Sequence, residues 1–204
     1  MSFLICGLDE VGRGALAGPL VAVASLFVAD PNPRYWEKQF SPIKGVTDSK
    51  KFTNTQKRRE VYHRILRQES LIDFGLGEVS VEEIEDIGID GANQVAFDRA
   101  VRQLKYLPGF LIVDGTSPLY GWEMGRQKVV PKADDLFWPV GAASILAKVI
   151  RDSYMTELGS DFPAYGWGKN AGYGTKYHID ALRSVGPCPL HRKAFIKSVI
   201  RRAA

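Results

Sequence analysis

The sequence predicts an α/β fold in one main domain with a helical C-terminal extension. Short apolar segments rich in valine alternate with amphipathic helical patterns, and neither an internal repeat nor a long linker divides the chain. With 204 residues, 45% of them hydrophobic, the chain is long enough to bury a substantial core. The composition is that of an ordinary globular protein, so it excludes disordered, collagenous and coiled-coil classes.

Four segments have the apolar character of strands. Residues 3–8 and 21–28 are short, apolar and separated by glycines, which predicts two strands joined by a tight connection. Residues 71–79 predict a third strand, and residues 110–113 predict a short buried strand that ends at Asp114. The chain therefore opens with β structure and returns to it after each helical segment.

Helix-start signals follow the second and the third predicted strands. Thr53 with Gln56 and Ser80 with Glu83 each fit a capping box, in which a hydroxyl and a carboxamide or carboxylate satisfy the first free main-chain N–H groups. The first of these helices is expected to end near Arg67. Further helices are predicted over residues 95–107 and 140–158, and after Thr175 and His191.

The sequence also predicts a cytoplasmic protein without a membrane span. Cys6 and Cys188 have no disulfide or metal-binding spacing, which favours a reducing compartment. The longest nearly uncharged stretch, residues 15–29, is shorter than the roughly 20 residues of a membrane helix and is interrupted by glycine and proline. Asp9 and Glu10 precede it where a signal peptide would carry positive charge.

The net charge of +4 is concentrated at the C-terminus. No acidic residue follows Asp180, whereas six basic residues do: Arg183, Arg192, Lys193, Lys197, Arg201 and Arg202. This distribution predicts a basic surface that attracts phosphate groups. A solvated helix face with cations near its end is an equally good interpretation.

Carboxylates stand at the ends of three apolar segments. They are Asp9 and Glu10 after residues 4–8, Asp114 after residues 110–113, and Asp134 after Val129 and Val130. If the strand ends met at one sheet edge, these groups would repel one another unless cations lay between them. Oxygen ligands suit Mg²⁺, and paired Mg²⁺ ions hydrolyse phosphodiesters. Each acid alone also fits a turn, a cap or a solvated position, and the pattern does not show that the three places converge.

The glycine-rich segment 12–17 (GRGALA) fits the loose dinucleotide-binding pattern G-x-G-x-x-A. That pattern requires a following helix, whereas the valine-rich run that follows predicts a strand, so we expect no dinucleotide site. Gly12 and Gly14 instead expose main-chain groups at contact distance from a ligand such as a sugar, and Arg13 adds a cation for phosphate. A tight hairpin without a ligand stays open as the alternative.

The motifs extend over nearly the whole sequence. They are 9–14 (DEVGRG), 48–51 (DSKK), 113–115 (VDG), 132–134 (KAD), 142–148 (AASILAK), 151–152 (RD), 172–175 (GYGT) with His178, and 191–192 (HR) with Phe195. Their order and spacing closely resemble the type 2 ribonuclease H family, ribonuclease HII, from residue 4 to about 196.

This resemblance implies a ribonuclease H-like fold, a mixed sheet flanked by helices, in a single catalytic domain over residues 1–204. Residues from about 160 to 204 would form a helical part that closes over the substrate. The resemblance implies hydrolysis of the RNA strand of RNA/DNA hybrids and incision 5′ of single ribonucleotides embedded in duplex DNA. It assigns catalysis, and the binding of two Mg²⁺ or Mn²⁺ ions, to four residues: Asp9, Glu10, Asp114 and Asp134.

The resemblance also assigns substrate contacts. Gly12, Arg13 and Gly14 correspond to a turn that contacts the ribose 2′-hydroxyl, the group that distinguishes RNA from DNA. Tyr173 corresponds to a tyrosine that stacks on the adjoining sugar, and Lys50 to a phosphate contact. The expected partners are RNA/DNA hybrids and ribonucleotide-containing DNA, bound by a monomer that does not associate with membranes.

The sequence departs from the family pattern at Ala133, where glycine is common, so the main chain there is expected to avoid conformations that only glycine reaches easily. We expect hydrogen-bonding or helix-end roles for His178 and His191, and an ion pair for Asp152. A dinucleotide-dependent enzyme and a hybrid-binding module without catalysis are the alternative functions.

Overall fold

A computed structural model of the protein describes residues 3–46 and 55–201, with side chains as far as Lys197. One five-stranded sheet forms its centre. The strands are β1 (Phe3–Val11), β2 (Leu20–Ala29), β3 (Leu71–Val79), β4 (Phe110–Asp114) and β5 (Gln127–Val130), in the spatial order β3-β2-β1-β4-β5. β2 is antiparallel to β1 and β3, whereas β4 and β5 run parallel to β1. The predicted mixed sheet is confirmed.

Helices surround this sheet. They are α1 (Thr55–Leu66), α2 (Val81–Arg102), α3 (Ala133–Leu136), α4 (Trp138–Asp161), α5 (Trp167–Asn170), α6 (Lys176–Val185) and α7 (Lys193–Arg201). Short 3₁₀ turns occupy Pro33–Trp36, Lys38–Phe40, Met124–Arg126 and Pro163–Tyr165. The helices predicted after Thr175 and His191 are confirmed as α6 and α7.

The structure differs from the prediction most clearly at β1 and α2. β1 continues to Val11 because its antiparallel pairing with β2 extends to Val11 and Val21, so Asp9 and Glu10 lie within the strand. The two helical segments predicted after residue 80 form one helix, α2, which is interrupted at Gly88 (φ 73°, ψ 167°). It ends at Arg102 because the following chain turns toward β3, where the main-chain N–H of Lys105 donates to Asp73.

The capping box at the start of α2 is confirmed. The Glu83 main-chain N–H donates to the Ser80 hydroxyl at 3.2 Å, and the Ser80 N–H donates to the Glu83 carboxylate at 2.9 Å. The box predicted at Thr53 lies outside the described residues.

The two faces of β1 pack against different helices. Ile5 belongs to a core with α4, whereas Cys6 and Leu8 belong to a core with α2. Gly7 points toward α4 and approaches it closely, since a Cβ atom at Gly7 would lie 2.3 Å from the carbonyl carbon of Pro139. Only glycine allows this approach, which brings the α4 main chain against the strand that carries Asp9.

A third core joins the C-terminal helices to the connection between β1 and β2. It contains Ala17, Met155, Tyr165, Trp167, Leu182 and Ile196. The predicted helical C-terminal extension is therefore present, and its apolar face packs against α4 and against the segment between the first two strands.

Two fully buried arginines hold the connection between β1 and β2 through hydrogen bonds. Arg151 of α4 donates to the carbonyls of Pro19, Ala171 and Ala17 at 2.9, 2.8 and 3.0 Å. Arg192 donates to Gly12 at 2.7 Å, to Arg13 at 3.1 Å, and twice to Gly18, at 3.0 and 2.8 Å. Within the described part of the chain, every acceptor for these two guanidinium groups is a main-chain carbonyl.

Arg192 corrects the prediction of a basic C-terminal surface, because its side chain is fully buried and contributes nothing to that surface. Burial, together with the neighbouring charge of Arg151, lowers the pKa of Arg192 to about 10. The carbonyl oxygens of the β1–β2 connection stabilise the guanidinium group in this position.

No helix in residues 3–46 and 55–201 is long and apolar enough to cross a membrane.

Replacing Arg192 with methionine is expected to lower the free energy of unfolding by about 3 kcal/mol, because the carbonyls of the β1–β2 connection lose a buried charged donor. Urea unfolding followed by circular dichroism measures the change. Arg183→Met is the matched control, since Arg183 is exposed on α6 and only ion-paired with Asp180. The control should change stability by less than about 0.5 kcal/mol. Equal stability of the two variants would contradict the role of Arg192.

Candidate active site

Parallel strand ends bring the predicted carboxylates to one edge of the sheet. In the register of β1 and β4, Leu8 pairs with Val113, so the next residues, Asp9 and Asp114, lie side by side. β4 pairs in turn with β5, and Asp134 lies in α3 directly after β5. The convergence that the sequence alone left open is therefore present in the fold.

Asp9 and Glu10 point to opposite faces of the sheet, because successive side chains of a strand alternate. Asp9 continues the face of Ile5 and Gly7 toward α4, whereas Glu10 continues the face of Cys6 and Leu8 toward α2. The carboxylates of the site therefore lie on both faces of the sheet at this edge.

Asp9 is almost fully buried, with 6% of its surface exposed. It accepts a hydrogen bond from the Glu10 main-chain N–H at 2.8 Å. Burial raises the pKa of Asp9 well above its ordinary value, and a hydrogen bond from Ser144 of α4 partly opposes this rise. The negative charges of Glu10, Asp114 and Asp134 raise it further. The charges of these three acids therefore all act on Asp9.

Glu10 experiences a similar environment on the α2 side. Burial, followed by the charge of Asp114, raises the pKa of Glu10 to about 7. The positive charge of Arg13 and a hydrogen bond from the side chain of Asn93 lower it in part. Its Oε2 atom is buried and has no hydrogen-bond partner among the residues that the structure describes. Such an atom is a candidate ligand for a cation or an ordered water.

The loop from β5 to α3 orients Asp114. Its carboxylate accepts a hydrogen bond from the main-chain N–H of Ala133 at 2.7 Å. Lys132 has the left-handed conformation (φ 60°, ψ 39°), and Ala133 is the first residue of α3. The expectation that Ala133 avoids a glycine-specific conformation is confirmed. Asp134, in the first turn of α3, is buried.

The candidate metal ligands of the site are carboxylate oxygens, which suit hard divalent cations. One of them, Oε2 of Glu10, is buried and has no hydrogen-bond partner among the described residues. No three histidine, cysteine or acidic side chains of the described residues are arranged to hold one ion together. Mg²⁺ is commonly held by one or two carboxylates, with water and substrate phosphate as the other ligands. The arrangement on two faces of the sheet edge suits that kind of coordination.

The predicted glycine turn lies directly after the acidic end of β1. Gly12 has a φ of 93°, which favours glycine, and a Cβ atom there would lie 2.3 Å from the Arg151 guanidinium nitrogen. Gly14 is exposed, with open space beside it. Arg13 forms an exposed ion pair with Asp90 of α2. Because β2 follows the turn instead of a helix, the dinucleotide-binding alternative is wrong.

Tyr173 reaches this turn from the C-terminal part of the chain. Its hydroxyl accepts a hydrogen bond from the Gly12 main-chain N–H at 3.2 Å. Lys148 and Arg151 lie over its ring, 5.3 and 5.5 Å from the ring centre. Tyr173 and the 12–14 turn are thus parts of one surface beside the carboxylates. Lys50 lies outside the described residues.

Ser144 and Asn93, which lower the pKa values of Asp9 and Glu10, are site residues that the sequence pattern did not reveal. The available signal was weak: each is a single polar residue among apolar neighbours on the inner face of a helix. Asp152 forms the predicted ion pair, with Lys148 at 2.7 Å and Arg58 at 3.8 Å. His178 and His191 are buried and hydrogen-bonded, as predicted.

Similar proteins were found by sequence. The family model described as Ribonuclease HII matches residues 6–198. A ribonuclease HII of Prochlorococcus marinus subsp. pastoris is 40% identical over 195 residues, covering 95% of this chain and 88% of that protein. A ribonuclease HII of Chlamydia abortus is 44% identical over 192 residues, covering 94% of this chain and 84% of that protein.

Solved structures share the fold at lower identity. The ribonuclease H2 of Pyrococcus horikoshii OT3 superposes with a TM-score of 0.73 at 22% identity, covering 98% of this chain and 99% of that chain. Bst-RNase HIII in complex with Mn²⁺ superposes with a TM-score of 0.66 at 20% identity, covering 98% of this chain and 69% of that chain. Together with the sequence matches, the acidic sheet edge identifies the chain as a member of the ribonuclease HII family, an endoribonuclease of ribonuclease H type 2.

Proposed function

We propose that this enzyme cleaves the phosphodiester bond on the 5′ side of a ribonucleotide, leaving 3′-hydroxyl and 5′-phosphate ends. Its substrates would be the RNA strand of RNA/DNA hybrids and duplex DNA that contains single ribonucleotides. One observation carries the proposal: Asp9, on which the charges of three other carboxylates act, lies beside a glycine turn whose main chain is hydrogen-bonded to a tyrosine. The carboxylates suit phosphodiester hydrolysis, and the turn suits recognition of a sugar.

Asp9, Glu10, Asp114 and Asp134 would hold two divalent ions, Mg²⁺ or Mn²⁺. When bound, such ions lower the pKa of the attacking water and stabilise negative charge on the leaving oxygen. The Mn²⁺ in Bst-RNase HIII, which shares this fold, supports the choice of a divalent ion. The high pKa values of Asp9 and Glu10 support it as well, because carboxylates that repel one another are stabilised by a cation between them.

Two polar side chains would position the acids. Ser144 on α4 lowers the pKa of Asp9, and Asn93 on α2 lowers the pKa of Glu10, as a hydroxyl or amide donor near a carboxylate does. Each donor fixes one carboxylate while leaving other oxygen lone pairs available for a cation. The acids would therefore be held before substrate arrives, which reduces the reorganisation needed during the reaction.

Ribose recognition would use the main chain of Gly12, Arg13 and Gly14. Arg192 and Arg151 hold the carbonyls of the 12–19 segment inward, while the exposed Gly14 leaves room for close approach of a sugar. Tyr173 would stack on the adjoining sugar, and Lys50 would contact a phosphate. The C-terminal part, residues from about 160 to 204, would close over the duplex, since it supplies Tyr173 to the turn.

The same proposal includes a monomeric enzyme acting in the cytoplasm. Cys6 and Cys188 are both free thiols, which suits a reducing compartment.

Asp9→Asn is expected to lower cleavage of an end-labelled DNA duplex carrying one ribonucleotide by at least about a hundredfold, because it removes a charged ligand from the centre of the acidic site. Chelation should abolish cleavage by the unmodified enzyme. Asp152→Asn is the matched control, since Asp152 lies on α4 in an ion pair outside the carboxylate group. Cleavage that persists in chelator or in Asp9→Asn would refute the metal mechanism. Hybrid binding without cleavage in either metal would favour the binding-module alternative.

The raised pKa of Glu10 predicts a pH-dependent stability. Between its ordinary pKa of about 4.3 and the folded value of about 7, the folded protein holds a proton that the unfolded chain has released. The free energy of unfolding therefore falls as pH rises through this window. In chelator, the free energy of unfolding of the unmodified protein should fall by roughly 3 kcal/mol more than that of Glu10→Gln between about pH 4.5 and 8.

Urea unfolding of both proteins at several pH values measures this difference. Mg²⁺ should restore stability to the unmodified protein at high pH, because the ion binds the ionised carboxylate. Parallel pH profiles of the two proteins would contradict the buried position of Glu10.

The exposed position of Arg13 predicts that replacing this residue changes the affinity for substrate. Arg13→Gln should weaken duplex binding about fivefold and reduce the salt dependence of log Kd by about one, because the variant no longer neutralises one phosphate of the duplex. Asp90→Asn should have the opposite effect on affinity, since it releases Arg13 from its ion pair. Fluorescence anisotropy in chelator measures both. An unchanged salt slope in Arg13→Gln would exclude an interaction of Arg13 with phosphate.

A further inference from the structure

Two imidazole rings lie in direct contact inside the C-terminal part of the protein. The Nε2 atoms of His178 and His191 are 3.0 Å apart, and the two side chains are 0% and 2% exposed. A separation of this size between two nitrogens requires a proton between them. The hydrogen bonds at the other ring nitrogens determine which ring carries it.

The outer partners fix the direction of the hydrogen bonds. The Nδ1 atom of His178 lies 3.0 Å from the carbonyl oxygen of Tyr173, which can only accept, so this nitrogen carries a proton. The main-chain N–H of Cys188 donates to Nδ1 of His191 at 3.0 Å, so that nitrogen is the acceptor. The second ring is therefore protonated at Nε2 and donates to Nε2 of His178. The carbonyl of Cys188 lies farther from Nδ1, at 3.3 Å.

The two unprotonated nitrogens already accept hydrogen bonds, which leaves no place for a further proton. His178 Nε2 accepts from His191 and from the indole N–H of Trp167 at 3.2 Å. A proton added there would face two donors, and one added to Nδ1 of His191 would face the Cys188 N–H. The geometry thus favours two neutral rings of opposite tautomer.

This pair is connected to the candidate ribose-binding surface through Tyr173. His178 holds the Tyr173 carbonyl, and the Tyr173 hydroxyl accepts the hydrogen bond from Gly12. The preceding residue, Gly172, has a φ of 80° and accepts hydrogen bonds from the main-chain N–H groups of Leu16 and Ala17. The main chain on both sides of the tyrosine is therefore anchored.

We propose that His178 and His191 are positioning residues, a neutral imidazole pair with an ordered proton that holds the main chain of Tyr173 and so places its ring against Gly12. The inference rests on the proposed role of Tyr173 in recognising the sugar beside a ribonucleotide. The pair touches neither substrate nor metal, and it acts through the position of the tyrosine.

The surroundings of the pair contain few titratable groups. Tyr165 packs edge-on against His191, with ring centres 4.5 Å apart, and the Cys188 thiol lies 3.3 Å from His191 Nδ1. Burial lowers the pKa of both histidines, that of His191 to about 4. Burial raises the pKa of Tyr165 and Cys188, so these neighbours stay uncharged at neutral pH.

The first test is the protonation state of the rings, measured on the unmodified protein by two-bond ¹H–¹⁵N NMR. The chain has three histidines, and the third, His63, is exposed on α1. We expect His178 to be protonated only at Nδ1 and His191 only at Nε2, both remaining neutral at about pH 6, below the ordinary histidine pKa. The same tautomer in both rings, or a charged ring at that pH, would overturn the proposal.

The second test compares two substitutions that differ in one donor. In His178→Asn, the side-chain amide N–H replaces Nδ1–H as the donor to the Tyr173 carbonyl. In His178→Leu, the side chain at position 178 has no donor for that carbonyl. The readout is the ratio of kcat/KM for a duplex with one ribonucleotide to kcat/KM for a continuous RNA/DNA hybrid. We expect His178→Leu to lower this ratio about fivefold, the effect of removing one hydrogen bond, and His178→Asn to keep it within about twofold.

Tyr173→Ala separates this inference from the function on which it rests. If Tyr173→Ala lowers the ratio and His178→Leu does not, the tyrosine has its proposed role and the imidazole pair does not position it. If Tyr173→Ala leaves the ratio unchanged, both proposals fall. Should His178→Leu not fold, His178→Asn and the NMR spectra decide: a ratio in His178→Asn as low as in Tyr173→Ala would overturn the positioning role.

Discussion

The fold as a whole must accommodate repulsion among the carboxylates that meet at one edge of the sheet. Asp9 lies under the influence of three other acids and is withdrawn from water, so its ionised form is unfavourable in the free protein. The apolar sheet on both sides holds the acidic edge in place, since the strands that carry Asp9 and Asp114 are largely buried. Stability of the fold thus opposes the electrostatic cost of the site, as is common where a protein prepares for ligands of opposite charge.

Helix α4 connects the parts of the site. One stripe along it, at spacings of four, three and four residues, carries Ser144, Lys148, Arg151 and Met155. Ser144 lowers the pKa of Asp9, and Lys148 and Arg151 lie over Tyr173. The absence of a side chain at Gly7 lets this helix approach β1 closely. The acidic centre, the glycine turn and the tyrosine are therefore all held by the same helix. This suits a site that must hold several groups in fixed geometry.

The sequence pattern predicted most of the elements because each has a local cause. A few neighbouring residues are enough to recognise the valine-rich segments, the Ser80–Glu83 box and the acids near strand ends. The pattern did not reveal that Arg192 is buried, because its acceptors lie up to 180 residues away. The contacts of Ser144 and Asn93, and the pairing of His178 with His191, depend equally on tertiary packing, which residue spacing does not encode.

The contacts of Arg192 also determine when the glycine turn can be completed during synthesis of the chain. The glycine turn leaves the ribosome before Arg192, which holds its carbonyls and follows Gly12 by 180 residues. A nascent chain lacks these contacts until Arg192 has been translated. The hydrogen bonds that hold the glycine turn therefore form only after Arg192 has been synthesised, and a translation product that ends before Arg192 lacks them.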